Sequence, residues 1–465
     1  VQHHPDHGSR LHLLTGVLVT GLEFDGDEKS TAVIGVRCLA REHVYQADPN
    51  ATDPGQDWEQ HVRPVCAKRE VILCGGSFNT PQLLMLSGIG PADHLIEHNI
   101  PVRVDLPGVG QNLQDRYEIP VTATVTGQFD SLAGLGSTSR GPAAFDDPHL
   151  RRWVNTPHHP AVERGPYSTN GGLLGILKRS SQEDAVPDLF IFALAGHFPG
   201  YHVGYSKPAA LLTATLSIAD AAKEFSPEEQ TEQDRKAATD PKRKITWVIL
   251  KARTRQHGGE VRLRNNSPFR RPSIRFNSFP DGDDDRDALA LLEGVDFVRS
   301  FLQDGQRKGW VESFECPGED HPAFNKNRLT WIRAVAWGHH ASGTCRIGGD
   351  ADSGAVLDSR FRVRGVSGLR VVDASVFPRI PGVFIVTNVY MVAEKAADVL
   401  AEDHPLPAEG LSLPCQKALA EEPVLRSSAE YEARRLYPAE LEAAEAKLIS
   451  SRREAAKLTP PGGRP

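Results

Sequence analysis

Apolar residues in this chain alternate in short runs before they form any helical stripe. Leu13 to Phe24 reads as a strand, with Val17 and Val19 spaced at period two. Asp25-Gly26-Asp27 signals a turn, and Val33 to Cys38 reads as the hairpin partner. Ala47 to Gln60 is polar and rich in Asp and Pro, which predicts a surface loop. Arg69 to Leu73 is the next strand. It leads through a glycine turn into a helix from about Thr80 to Ser87, with Pro81 in the first turn, where a missing N–H costs nothing.

From about Tyr117 to Asn325 the pattern changes. Strand-like stretches (Val121 to Val125, Leu189 to Leu194, Lys244 to Lys251, Glu260 to Leu263, Ser273 to Phe276) alternate with irregular polar segments. Lys223 to Lys244 is highly charged and reads as a surface segment. Asp281 to Leu302 places Ala288, Leu291, Leu292, Val295 and Val298 on one stripe, the pattern of an amphipathic helix. Beyond Leu400 the chain turns Pro/Ala/Glu-rich. Ser427 to Lys457 reads as helix in two pieces, because Pro438 interrupts it. Its apolar edge (Leu441, Ala444, Leu448) is thin, so a solvated extension is the simpler reading than a partner-binding helix. The Pro460 to Gly463 tail is expected to be disordered.

Composition narrows the class without naming it. At 465 residues the chain is long enough for two cores. Hydrophobic content of 39% and charged content of 24% are those of an ordinary soluble protein. A net charge of −7 argues against a nucleic-acid surface, and no apolar run is long enough for a transmembrane helix. Cys38, Cys66, Cys74, Cys316, Cys345 and Cys415 show no CxxC spacing, so buried free thiols are expected and no metal site is indicated. GxSxG, HExxH and Walker A patterns are all missing from the sequence.

Two blocks carry a resemblance. Gly76 to Gly90 reads GSFNTPQLLMLSGIG directly after an apolar strand. Far downstream, Trp337 to Gly348 reads WGHHASGTCRIG, and Leu357 to Ser375 reads LDSRFRVRGVSGLRVVDAS, followed by Ala393 to Asp398. In this order the blocks resemble the signatures of the glucose-methanol-choline (GMC) family of flavin oxidoreductases, over roughly Arg10 to Leu400. The family's opening strand, GxGxxG turn and helix do not occur in this sequence, so on the family's plan the chain corresponds to the C-terminal two thirds.

The resemblance implies an α/β fold with a discontinuous, Rossmann-like FAD-binding domain (residues 1–116 and 330–402). It implies an α+β substrate domain with an antiparallel sheet (117–329) and leaves a C-terminal extension (403–465). It implies FAD as cofactor and oxidation of a small-molecule alcohol, with His340 as general base and the neighbouring His339 as structural. Val19, Asp373, Ala374, Phe384 and Ile385 fall at positions expected to meet the cofactor. The family's second polar residue beside the base maps to Phe384, which has no hydrogen-bonding group; Asn388, four residues later, is the alternative if the local turn is remodelled. An apolar, bulky substrate follows from that exchange. Arg116 stands where the family usually has a His after the Asp. Two other readings stay open: a non-redox flavin-containing lyase of the same family, and a cofactor-free fragment acting as an interaction module.

Overall fold

The computed structural model describes residues 12–127 and 171–404, apart from 28, 184–185, 199, 201–242, 256–257, 280–284 and 319–320, together with 129, 152–153, 165 and 168. The charged 223–244 segment, except its last two residues, and the C-terminal helical pattern lie outside the described residues.

The elements run β1 (Leu18–Phe24), β2 (Val33–Leu39), β3 (Val62–Cys66), β4 (Val71–Leu73), α1 (Gly76–Leu86), β5 (Ile89–Gly90), α2 (Ala92–Glu97), β6 (Val104–Asp105) and β7 (Tyr117–Val125). Then follow β8 (Gly172–Lys178), β9 (Leu189–Ala195), β10 (Lys244–Lys251), β11 (Glu260–Arg262), β12 (Ser273–Arg275), α3 (Arg286–Arg307) and β13 (Val311–Cys316). The last are α4 (Pro322–Lys326), α5 (Arg328–Val335), β14 (Leu369–Val371) and α6 (Val386–Asp403).

Two apolar cores organise them. The first sits beneath a five-stranded antiparallel sheet of order β13-β7-β10-β9-β8. Ile119, Val121 and Ala123 of β7, Leu189, Ile191 and Ala193 of β9, and Trp247 and Ile249 of β10 point to one face. Leu291, Val295 and Val298 of α3 cover that face. The alternate residues, Glu118, Phe190, Phe192 and Thr246, point the other way, as a period of two requires. The second core joins Leu22, Leu73, Leu84, Met85 and Ile89 to Leu357, Leu369 and Val371. It is organised around β4 and β14, which pair in parallel with Val71 opposite Leu369. Segments nearly 300 residues apart in sequence thus share one core.

Several boundaries differ from the sequence reading, and β7 begins at Tyr117, four residues before the Val121 expected. The first strand begins at Leu18 rather than Leu13, because Gly16 sits at φ +68°, outside the extended region. The helix after the glycine turn begins at Gly76, four residues early, which puts Pro81 inside it. The amphipathic helix begins at Arg286 and continues to Arg307. Of the described cysteines, all free, only Cys38 and Cys345 are buried; Cys74 is exposed.

A clasp closes the C-terminal end of α6 on the parallel pair. Arg370, 3% exposed, donates to Glu70 at 2.6 Å and to Asp403 at 2.6 Å. Removing one partner of a buried ion pair leaves a charge uncompensated. Glu70→Ala is therefore expected to cost about 3 kcal/mol in chemical denaturation. Asp352→Ala, which breaks a half-exposed pair with Arg346, is expected to cost under about 1 kcal/mol. Equal losses would show that the clasp does not hold α6. Hydrogen bonds from Arg360 and then Arg370 hold the Asp403 carboxyl down to about 2. A depressed carboxyl stabilises the fold above its ordinary value of 3.8 and loses that contribution as pH falls towards 2. Asp403→Asn should remove this part of the acid sensitivity in pH-dependent melts.

Candidate active site

The site is built where three loops cross. Pro81, inside α1, has no N–H to give the carbonyl of Ser77 four residues earlier. The Thr344 hydroxyl donates to that carbonyl instead, at 2.8 Å. The Ser77 hydroxyl in turn donates to the Ala341 carbonyl at 2.8 Å. The segment carrying His340 is thereby fixed to the first turns of α1.

Asp373 fixes the same helix from the other side. One carboxylate oxygen accepts from Gly76 N at 2.9 Å and from the Thr80 hydroxyl at 2.6 Å. The other accepts from Ser375 N at 2.7 Å, capping the short 3-10 turn Ala374–Val376. Gly343 N and Cys345 N then donate to the carbonyls of Ala374 and Ser375. Gly343 is required here: it lies at φ +91°, and a Cβ would sit 2.6 Å from the Asn112 carbonyl oxygen.

The third loop is Gln111 to Arg116. Gln114 exchanges backbone hydrogen bonds with Ser342 and binds Pro378 and Ile380 through its side-chain amide. Asp115 accepts from the backbone N–H of His340 at 2.8 Å and of Arg116 at 2.7 Å. Burial pushes its carboxyl up to about 6. Gly338 allows this approach, since a Cβ there would lie 2.4 Å from the Arg116 carbonyl oxygen. Arg116 is fully buried and donates to the carbonyls of Ala252 and Pro381. It ties the end of β10 to the loop that leads to Phe384.

His340 sits at this crossing, 7% exposed. Burial, with the Arg116 charge acting in the same direction, pushes its imidazole down to about 4, so the ring is neutral near pH 7. Its Nδ1 is buried without a hydrogen-bond partner. Glu118, the first outward-facing residue of β7 and 1% exposed, places Oε1 3.3 Å from that nitrogen and 3.4 Å from Nδ1 of His339. Neither approach has hydrogen-bond geometry for Oε1, which stays unpartnered. Burial pushes the Glu118 carboxyl up to about 7.

Beside His340 lies Phe384, part of an aromatic cluster. The Phe384 ring is centred 5.8 Å from the His340 ring. Phe190 and Phe192 of β9 each meet Phe384 edge-on at 5.4 Å. The structure thus brings Phe384 to His340. Asn388 lies in the first turn of α6, and among the described residues no hydrogen bond links it to His340 or Glu118. Ile385 is the N-cap of α6 and leaves the first-turn N–H groups without a side-chain cap. Val19 lies on β1, in the separate three-stranded sheet, opposite Cys38.

Sequence reasoning missed Glu118, Arg116 as a brace, Phe190 and Phe192. Glu118 had a signal: it is the one charged residue in the run Tyr117–Val125, otherwise apolar or hydroxyl-bearing. Phe190 and Phe192 alternate with core residues on β9, but nothing in their spacing says what the outward face meets.

Taken together, these elements define a mixed helix-and-sheet protein with antiparallel sheets and a buried histidine at a loop crossing. Family descriptions of the N-terminal and C-terminal parts of the GMC oxidoreductases match residues 8–118 and 254–393. The chain belongs to the GMC oxidoreductase family, whose members are FAD-dependent oxidoreductases. It is 33% identical over 333 residues to a chloroplastic fatty acid photodecarboxylase of Chlamydomonas reinhardtii, covering 71% of this chain and 49% of that one. It is 30% identical over 383 residues to an oxygen-dependent choline dehydrogenase of Sinorhizobium medicae, covering 80% and 58%. Among solved structures, a formate oxidase of Aspergillus oryzae aligns with a TM-score of 0.59 at 27% identity, over 83% of this chain and 60% of that one. The chain spans about half the length of the curated relatives it matches.

Burying Glu118 has a cost that shows in stability. Its carboxyl is raised from 4.5 to about 7, so the folded state favours the protonated form. That contribution is complete below pH 4.5 and is lost as pH rises through about 7. Glu118→Gln should therefore be more stable than the parent above pH 7, by on the order of 3 kcal/mol at most, in urea titrations at pH 8 against pH 5. An identical pH dependence in the two proteins would refute the burial cost.

Proposed function

We propose that this chain forms the substrate-facing part of an FAD-dependent oxidoreductase that oxidises the CH–OH group of an apolar alcohol. His340 is the general base. The observation that carries the reading is His340 itself: a buried, neutral imidazole held by three loops, with Phe384 beside it and Phe190 and Phe192 packed on Phe384. A neutral imidazole can accept the hydroxyl proton as the carbon–hydrogen bond breaks. FAD, when bound, supplies the hydride acceptor.

The residues present fit that cofactor. A carboxylate has about four acceptor sites, and Asp373 spends three on Gly76, Thr80 and Ser375. One remains for a sugar hydroxyl. The backbone at Ala374 lies alongside. The uncapped N-terminus of the 18-residue α6, at Ile385, offers N–H groups and the positive end of a helix dipole to an electron-rich ring edge. Gly76, at φ +78° with nothing within 4 Å of a Cβ position, leaves the start of α1 open to approach. Val19 is the position assigned to the adenine edge. In this reading, residues 1–116 and 330–402 form the Rossmann-like cofactor domain, 117–329 the substrate domain and 403–465 an extension.

Phe384 decides the substrate class. An aromatic wall buries apolar surface and offers no partner to a second hydroxyl or a charged head group. A non-redox lyase is the second reading, favoured by the same wall and by the similarity to a photodecarboxylase. Anaerobic mixing with an alcohol separates the two, since only the oxidoreductase bleaches the flavin absorbance.

In flavin-loaded protein, His340→Ala is expected to slow flavin reduction by roughly 100-fold or more, the usual worth of a placed base, and His339→Ala by much less. Equal effects from stopped-flow absorbance would reject His340 as the base. Aromatic and long-chain alcohols should be preferred over sugars and choline, and Phe384→His should raise activity on small polar alcohols. A parent protein that prefers choline would reject the apolar pocket.

A further inference from the structure

Two polar atoms lie buried and unsatisfied side by side: Oε1 of Glu118 and Nδ1 of His340, 3.3 Å apart. Leaving both unpaired costs about 1–3 kcal/mol for each. A proton between them would satisfy both, and the separation is within a small side-chain rotation of a hydrogen bond. His339 reaches the same oxygen at 3.4 Å from a half-exposed position. The two imidazoles lie with centres 4.0 Å apart and planes tilted at 37°.

We infer that Glu118 is a positioning residue for His340: its carboxylate accepts the Nδ1 proton of His340 and so keeps Nε2 as the bare lone pair offered to substrate. The inference rests on the proposed role of His340 as base and adds what sets that base's tautomer. In the step itself, the hydroxyl proton would move to Nε2 and the ring would become an imidazolium with Nδ1–H still on Glu118; FAD, when bound, would supply the acceptor for the hydride. The carboxylate stabilises the imidazolium without taking its proton, as in carboxylate-oriented histidine bases elsewhere.

Among the described residues, the charges facing the pair come from two places. Arg116 and Asp115 precede β7, with Asp115 bonded to the His340 backbone N–H. His339 flanks His340 on its own segment. The Phe384 loop and β9 present aromatic rings only at this point. Arg116 opposes the imidazolium, Asp115 favours it, and His339 competes for Oε1 when it is protonated. Glu118 must be ionised to act. With its carboxyl raised to about 7 by burial, the positioned tautomer is lost as pH falls below that value.

Histidine tautomers are read directly by long-range proton–nitrogen NMR on protein labelled with nitrogen-15 histidine, with no need for turnover. The parent at pH 8 is expected to show His340 as the Nδ1–H tautomer, and Glu118→Gln, whose amide can donate to Nδ1, to shift it towards Nε2–H. His339→Gln, which removes the competitor, should keep or increase the Nδ1–H form and covers the case of a Glu118 variant that fails to fold. An Nε2–H tautomer in the parent, or the same tautomer in parent and Glu118→Gln, overturns the inference.

In flavin-loaded protein, Glu118→Gln should lower kcat about 10- to 100-fold with KM changed less than about 2-fold. It should also erase the acid limb of the pH–rate profile near pH 7, while Glu118→Asp recovers part of the rate. A rate loss without any change in that limb counts against positioning. The two readings fail separately: full activity in His340→Ala removes the base, whereas an unshifted tautomer removes Glu118 alone.

Discussion

Pro81 interrupts α1 from within, and the rest of the site is arranged around the carbonyl it leaves bare. A proline at that place removes a helical hydrogen bond and leaves a carbonyl near the protein interior needing a donor. The donor is Thr344, four residues after His340. One unsatisfied backbone group in the first block of sequence is thus met by a side chain from the block nearly 270 residues later. Asp373 repeats the device with a carboxylate that closes both the start of α1 and the turn after β14. The histidine is therefore placed by polar satisfaction at helix ends, on top of the parallel pairing of β4 with β14.

The five-stranded sheet obeys a different constraint. It buries one face under α3, and the period of two turns every second side chain towards the loop crossing. Glu118 at one end of β7 and Phe190 and Phe192 on β9 are consequences of that alternation. The sheet places a buried carboxylate beside the histidine and two aromatic rings against Phe384. Rigid strands hold the parts that must not move, and loops pinned at several backbone groups carry His340 and Phe384.

Much of this was legible in the sequence, for identifiable reasons. Strands such as Lys244–Lys251 came out at their observed bounds, because a long apolar-rich run with clear ends leaves little choice. His340 and Phe384 were legible through the spacing of the blocks around them, and the structure brings the two rings together. What stayed hidden depends on tertiary contact. Pro81 looked like a helix-start signal, since local preference cannot know that Thr344 will satisfy the carbonyl it strands. Glu118 fell outside the strand expected at Val121–Val125, since nothing local marks that β7 begins at Tyr117 or which of its faces meets a histidine. Asp373 was read as a cofactor contact; the structure shows it capping Ser375 and bonding to α1, which no local pattern implies.

The run Asp115-Arg116-Tyr117-Glu118 packs three charges into a buried junction, a costly choice for stability alone. Arg116 spends its donors on two backbone carbonyls, from β10 and from the Phe384 loop, so it works as a strut between the two halves of the site. Burial holds the His340 imidazole neutral, and the positive charge of Arg116 acts in the same direction. Asp115 anchors the backbone of His340 while favouring its protonated form. Glu118 approaches the ring at Nδ1. A neutral residue in any of these places would relieve burial, but it would also release a loop, change the charge on the imidazole or leave its tautomer to chance. The stability given up at this junction is what fixes one imidazole in one protonation state against an apolar wall.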